Sequence, residues 1–179
     1  MYHSAKNLYG ARVNFGELLK IATAGRELVR ALAYVVRSDT EEERAFFDAL
    51  EKFGFELKSK DLQIFAGGTK KGDWDVGLTV DAIRLARQLD AVVIVSGDGD
   101  YEPLVEYLKS AGVIVEVVAF RRSTSSRLVE AADNFVDIDE RKKTIMRIHR
   151  SGKPSRPERG PSNGNGGTFM PLREESSEE

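Results

Sequence analysis

The period of the apolar positions changes several times along this chain, and each change marks an element. Ala91-Val92-Val93-Ile94-Val95 is an unbroken apolar run with four β-branched residues. That is the pattern of a strand covered on both faces, as in a parallel sheet. The run stops at Ser96-Gly97, where the chain must turn. Pro103 then stands where the first turn of a helix tolerates it, and Leu104, Val105, Leu108 and Ala111 recur at helical spacing. Gly112 closes that helix, and Val113 to Phe120 is a second buried strand. Residues 91–120 therefore predict a β-α-β unit of minimal length.

The other elements follow the same rules. Residues Met1 to Val13 are short and mixed, with Tyr2, Leu8 and Tyr9 on one helical face. Asn14 followed by Glu17 is a helix start signal, opening a helix from Phe15 to about Ala24. Glu27 to Val36 reads as a strand, best defined in its second half. Thr40, with Glu41, Glu42 and Glu43 in the first turn, caps a helix through Phe46, Phe47 and Leu50 to Phe53, stopped by Gly54. Phe55 to Lys58 and Leu62 to Phe65 are short strand candidates of the kind found near a sheet edge. Gly67 to Gly72 is a basic, glycine-rich loop. Asp73-Trp74-Asp75 leads into a helix with Val76, Leu78, Val80, Ile83, Leu85, Ala86 and Leu89 as its apolar set.

Beyond Phe120 the pattern predicts a short helix from Leu128 to Ala132, a last strand from Phe135 to Ile138, and a terminal helix from Glu140 to His149. That helix carries Arg141, Lys142, Lys143 and Arg147, a charge run that reads as a solvated face or as a contact for nucleic acid. Residues 151–179 hold four of the five prolines, a Gly/Asn/Ser run and an acidic end. Such a segment cannot bury a core and is expected to be a disordered tail behind a domain spanning 1–150. Alternating strands and helices make that domain a three-layer α/β/α, Rossmann-like fold with a mainly parallel sheet.

Composition narrows the chemistry. The absence of cysteine excludes disulfides, thiolate zinc sites and a cysteine nucleophile, and suits a reducing cytoplasm. No apolar run approaches membrane-spanning length, so no membrane partner is expected. A net charge of −2 means that a nucleic acid would have to meet a local basic patch. Three loops at the carboxyl ends of the strands carry polar clusters: Lys70 to Asp75, Ser96 to Asp100, and Arg121 to Ser126. In the second, Asp98 and Asp100 repel each other unless a cation lies between them, and hard oxygen ligands favour Mg²⁺ or Mn²⁺. The same residues could instead shape the turn and cap the following helix. Trp74 and Tyr101 are open to two roles, stacking on unpaired bases or anchoring in the core.

Lys71-Gly72-Asp73-Trp74-Asp75-Val76-Gly77-Leu78, then Val80-Asp81-Ala82, then Val95-Ser96-Gly97-Asp98-Gly99-Asp100-Tyr101-Glu102-Pro103-Leu104, resemble the NYN domain, and its LabA-like branch most. The resemblance covers most of residues 1–138. NYN domains are similar in fold to PIN nucleases, which bind Mg²⁺ or Mn²⁺ through clustered aspartates and cleave RNA. The resemblance therefore implies a metal-dependent ribonuclease, with Asp75, Asp98 and Asp100 as catalytic, metal-holding residues. Lys70, Lys71, Ser96, Arg121 and Arg122 are the candidates for holding substrate, expected to be single-stranded RNA. Asp81 follows Asp75 by six residues, about 600° of helix, so the two side chains diverge by roughly 120°. It is thus a metal ligand, an outer residue or an Arg84 partner.

One departure stands out. The family's first catalytic aspartate ends a first strand, and the sequence has no acid before Glu17. The helix preceding Glu27 reads like part of a β-α-β unit whose opening strand is missing, as if a strand ending in aspartate lay upstream of Met1. That departure keeps an alternative open, a catalytically weak RNA-binding or regulatory module of the same fold. A homodimer is left open as well.

Overall fold

The computed structural model describes residues 2–37, 40–64, 70–71, 74–141 and 146–148. The chain divides into Met1–His149, which contains all of these, and Arg150–Glu179. The expected disordered tail and most of the Gly67–Gly72 loop thus lie outside the described residues.

Helix α1 (Tyr2–Tyr9) leads into a short strand β1 (Ala11–Val13) and then α2 (Phe15–Thr23). Asn14 caps α2 as its sequence position implies, its side-chain oxygen accepting the Glu17 N–H. Strand β2 (Leu32–Arg37) is shorter than the apolar run from Glu27 suggested, and residues 24–30 are exposed. Helix α3 (Glu41–Lys52) begins at the Thr40 cap and ends before Gly54, whose φ of 94° only glycine adopts freely. The two strand candidates after Gly54 are redrawn as β3 (Glu56–Asp61), parallel to β2, and β4 (Gln63–Ile64), antiparallel to β5 (Lys70–Lys71). Helix α4 (Asp75–Ala86) and strand β6 (Ala91–Ile94) follow. A 3₁₀ turn, Gly99–Tyr101, runs into α5 (Glu102–Ser110), and β7 (Ile114–Ala119), α6 (Ser126–Ala131) and β8 (Asn134–Asp137) complete the sheet.

Strands β6, β7 and β8 form a parallel sheet in sequence order. Side-chain alternation along them builds the layers. Ile94, Val115, Val117 and Ala119 meet Ala86 of α4, Leu104, Val105 and Leu108 of α5, and Leu128 of α6. On the opposite face Val93, Val95, Val118 and Val136 meet Ala5 of α1 and Leu18 of α2. This is the expected α/β/α arrangement. The sheet is interrupted, however. Among the described residues β2 pairs only with β3 and β6 only with β7, so each keeps one unpaired edge. Helices join the two parts from both faces. Phe15 of α2 touches Phe46 of α3 and Phe55 beside β3, while Leu18 packs in the core under β7. On the other face α4 packs on β6 and reaches β2 through Trp74 and Asp81.

The expected terminal helix Glu140–His149 is not what forms. A 3₁₀ turn covers Asp139–Arg141, and Met146–Ile148 is a strand, β9, antiparallel to β1. The physical reason is tertiary. Met146-Arg147-Ile148 alternates with period two, and β1 offers an edge whose backbone groups need partners.

Asp133 ties the rim of this sheet. Its carboxylate accepts the Val115 N–H at 2.8 Å and pairs with Lys109 at 3.1 Å. The Val115 bond first, then Lys109, hold its pKa below the ordinary value. A carboxylate with a lowered native pKa contributes stability that is complete above its unfolded value, about 4, and lost as pH falls through the native value. Asp133→Asn should therefore flatten the acid limb of the stability–pH curve, measured by urea unfolding from neutral pH downward. An unchanged acid limb would contradict this.

Candidate functional site

The carboxyl end of β6 continues as Val95 to Asp98, and the 3₁₀ turn Gly99–Tyr101 starts α5 beside it. Asp98 and Asp100 are exposed here. Asp98 Oδ1 accepts the Asp100 N–H at 3.1 Å, and the Asp98 N–H donates to Ser96 Oγ at 3.2 Å. Asp98 thus shapes the turn, yet its second oxygen, and both of Asp100, take no hydrogen bond among the described residues.

This loop is fitted against the one that follows β7. The Ser125 N–H donates to the Gly97 carbonyl at 3.1 Å. A Cβ on Gly97 would fall 2.6 Å from the Ser123 carbonyl oxygen and 2.8 Å from Thr124 Oγ1, and one on Gly99 would fall 2.9 Å from Ser125 Cβ. Two glycines are therefore required by close approach. Thr124 is itself fixed, its hydroxyl donating to the Phe120 carbonyl at 2.7 Å. The exposed Arg121 and Arg122 stand in this second loop, their N–H groups bonded to Asp137 and Asp139. The Arg121 guanidinium lies 5.7 Å from the Phe135 ring centre.

Asp75 opens α4, where a carboxylate suits the positive end of the helix dipole. The Tyr101 hydroxyl donates to Asp75 Oδ1 at 2.8 Å. Tyr101 is 6% exposed and packs in the core with Leu104, Val105 and Leu128. Burial first, then the bond to Asp75 and the charges of Asp75 and Asp98, push its pKa well above the ordinary phenol value. It is therefore a protonated donor with Asp75 and Asp98 both within electrostatic reach.

Asp81 lies on another side of α4. It accepts the Tyr34 hydroxyl at 3.0 Å and sits 3.7 Å from Lys58 Nζ, so its partners are β2 and β3, not Arg84 or the Asp98 loop. Burial, then Asp81, raises the Tyr34 pKa in the same way. Trp74 is an anchor. Its indole N–H donates to the Val35 carbonyl at 2.9 Å, Tyr34 packs on it, and Lys60 Nζ lies 4.8 Å from its ring centre. Gly77 makes room for the ring, since a Cβ there would fall 2.6 Å from it. Neither Trp74 nor Tyr101 is a free stacking surface.

Of the residues singled out by sequence, Asp75 is bonded to the Tyr101 hydroxyl, and Asp98 caps the turn that ends in Tyr101. Ser96, Arg121 and Arg122 lie in the two joined loops. Asp100 lines an open cleft of about 510 Å³ with Glu102, Ser125 and Arg127. The side chains of Lys70 and Lys71 lie outside the described residues. Among the described residues no three acidic or histidine side chains converge closely enough to enclose a metal ion. Tyr34, Lys58 and Lys60 were missed. Their signal was the alternation of Lys58 and Lys60, hidden because β3 was read as ending at Lys58.

A three-layer fold with carboxylates at the strand ends and the first turn of α4 is a ribonuclease-like, PIN-fold arrangement. The NYN domain model matches residues 1–139, and the chain belongs to the NYN domain family. It is 28% identical over 130 residues to the low amplitude and bright protein LabA of Synechococcus elongatus, spanning 69% of this chain and 70% of that protein. A crystal structure of a protein of unknown function from Vibrio parahaemolyticus superposes with a TM-score of 0.74 at 37% identity, covering 81% of this chain and 88% of that one. Proteins of this family are generally dependent on a divalent metal, and the domain suggests nucleic-acid binding. Among the described residues no helix is long and apolar enough to cross a membrane.

Gly97→Ala should destabilise the fold by about 1–3 kcal/mol, because the added methyl meets backbone that cannot step aside. Gly10 has no neighbour within 4 Å of the equivalent position. Urea unfolding of Gly97→Ala checks this, and stability equal to that of the parent protein would contradict the close approach.

Proposed function

We propose that this protein is a ribonuclease that hydrolyses phosphodiesters of single-stranded RNA with the help of Mg²⁺ or Mn²⁺. The observation that carries the reading is Asp75, held by the Tyr101 hydroxyl, at the loop edge of a NYN domain where the turn ending in Tyr101 exposes Asp98 and Asp100. The donor set fits a hard cation in kind, being carboxylate oxygen with free lone pairs. In number it fits an open site. Mg²⁺ keeps several waters and commonly takes one or two carboxylates plus substrate phosphates, which suits a place where no three acids close around it.

Asp75 and Asp98 would hold the ion, with Asp100 beside them. Bound there, it would make a water more acidic and offset charge on the leaving oxygen. The protein's own groups do the rest. Arg121 and Arg122, exposed in the loop fixed to Gly97, hold backbone phosphates, and Lys70 and Lys71, shortly before Asp75 in the sequence, are further candidates for that role. Such contacts position the strand without reading its sequence. A reducing cytoplasm would suit this substrate and a chain without cysteine.

The open carboxylate geometry also favours a second reading, an RNA-binding module that cleaves weakly or not at all. Labelled single-stranded RNA incubated with Mn²⁺, Mg²⁺ or EDTA separates the two. The proposal expects cleavage with either metal and none with EDTA, whereas RNA that binds and stays intact would establish the second reading. Asp98→Asn should abolish cleavage with little loss of stability, since an amide oxygen can still accept the Asp100 N–H while the charge is gone. Full activity in Asp98→Asn would leave Asp98 a turn residue only.

A further inference from the structure

The side chains that would hold a cation come from two elements, α4 and the turn after β6, and something must set their relative position. We infer that Tyr101 is the positioning residue that orients Asp75 at the edge where its own turn displays Asp98 and Asp100. The inference rests on the metal-dependent reading above and names a device within that site.

Three observations meet on Tyr101. Its hydroxyl donates to Asp75 Oδ1 at 2.8 Å, which leaves Oδ2 without a hydrogen bond among the described residues. Its ring cannot turn away, being 6% exposed among Leu104, Val105 and Leu128. It is also the last residue of the 3₁₀ turn that displays Asp100 and is capped by Asp98. One turn thus presents two carboxylates and holds a third from another element. An aspartate side chain in water samples several rotamers, and a site that must order it on binding loses affinity for that ordering. A hydrogen bond from a fixed donor removes that loss beforehand, as outer partners of metal ligands generally do. Phenylalanine would fill the same core space, so the distinctive part of Tyr101 is its hydroxyl.

Helix α4 contains its own control. Asp81 takes an equivalent bond, 3.0 Å from the Tyr34 hydroxyl, but faces Lys58 and the β2–β3 pair. Loss of either tyrosine hydroxyl removes one anchor of α4, while only Tyr101 acts on Asp75.

The test is Mn²⁺ affinity, read from the electron paramagnetic resonance signal of the free ion, for the full chain and the variants Tyr101→Phe and Tyr34→Phe. Tyr101→Phe should bind Mn²⁺ about 10-fold more weakly, and Tyr34→Phe should bind it as the parent does. Equal affinity in Tyr101→Phe and the parent overturns the positioning role and leaves the ribonuclease reading standing. Equal weakening in both variants also overturns it, since the effect would then be a loosened α4. No Mn²⁺ binding by the parent overturns both. If Tyr101→Phe does not fold, the parent chain decides. Among its five tyrosines, bound Mn²⁺ should broaden the ring resonances of Tyr101 most, and an unbroadened Tyr101 overturns the inference.

Discussion

The functional edge depends on one close approach, that of Gly97 to the backbone of Ser123 and Thr124. A Cβ at Gly97 would come within 2.6 Å of a carbonyl oxygen, and the Ser125 N–H closes the contact with a bond to Gly97. Because the loops after β6 and β7 are fastened in this way, Asp98 and the two arginines stand on two joined loops. The following turn then delivers Tyr101 into the core under α5 and α6. The placement of Asp98, of the two arginines and of the Tyr101 ring follows from the same backbone contact.

Helix α4 is the second constraint. It spans a sheet whose β2–β3 and β6–β7–β8 parts share no hydrogen bonds among the described residues. Its hold on β2 is polar, through the Trp74 indole and the Tyr34–Asp81–Lys58 group, while its hold on β6 is apolar, through Ala86 and its neighbours. Polar anchors have directional geometry and apolar ones do not. The orientation of α4, and with it the place of Asp75, is accordingly set by its polar contacts with β2 and β3.

Much of this was readable in the sequence because it is local. The unit from Ala91 to Ala119 needed only a β-branched run, Pro103 at a helix start and Gly112 at its end. Asn14, Thr40 and Gly54 likewise act within one turn of themselves. What could not be read depends on partners distant in sequence. Residues 146–148 became a strand because β1 offers an edge, an event invisible to a count of charges along a presumed helix. The polar exposed stretch before Leu32 is coil although it carries Leu28 and Val29. Helical arithmetic correctly separated Asp81 from Asp75, but only the fold could supply Tyr34 and Lys58 as its partners. Tyr101 was visible as an aromatic beside two acids, and its choice of Asp75 was not.

Asp75 and Asp98 are proposed to hold one cation between them at this edge. The most direct measurement is the anomalous difference map of a crystal of the full chain soaked in Mn²⁺. The expected result is a peak between the Asp75 and Asp98 carboxylates, within metal–oxygen bonding distance of both. A peak confined to the Asp100–Glu102 cleft or to Asp81, or no peak at a concentration that supports cleavage, would contradict it.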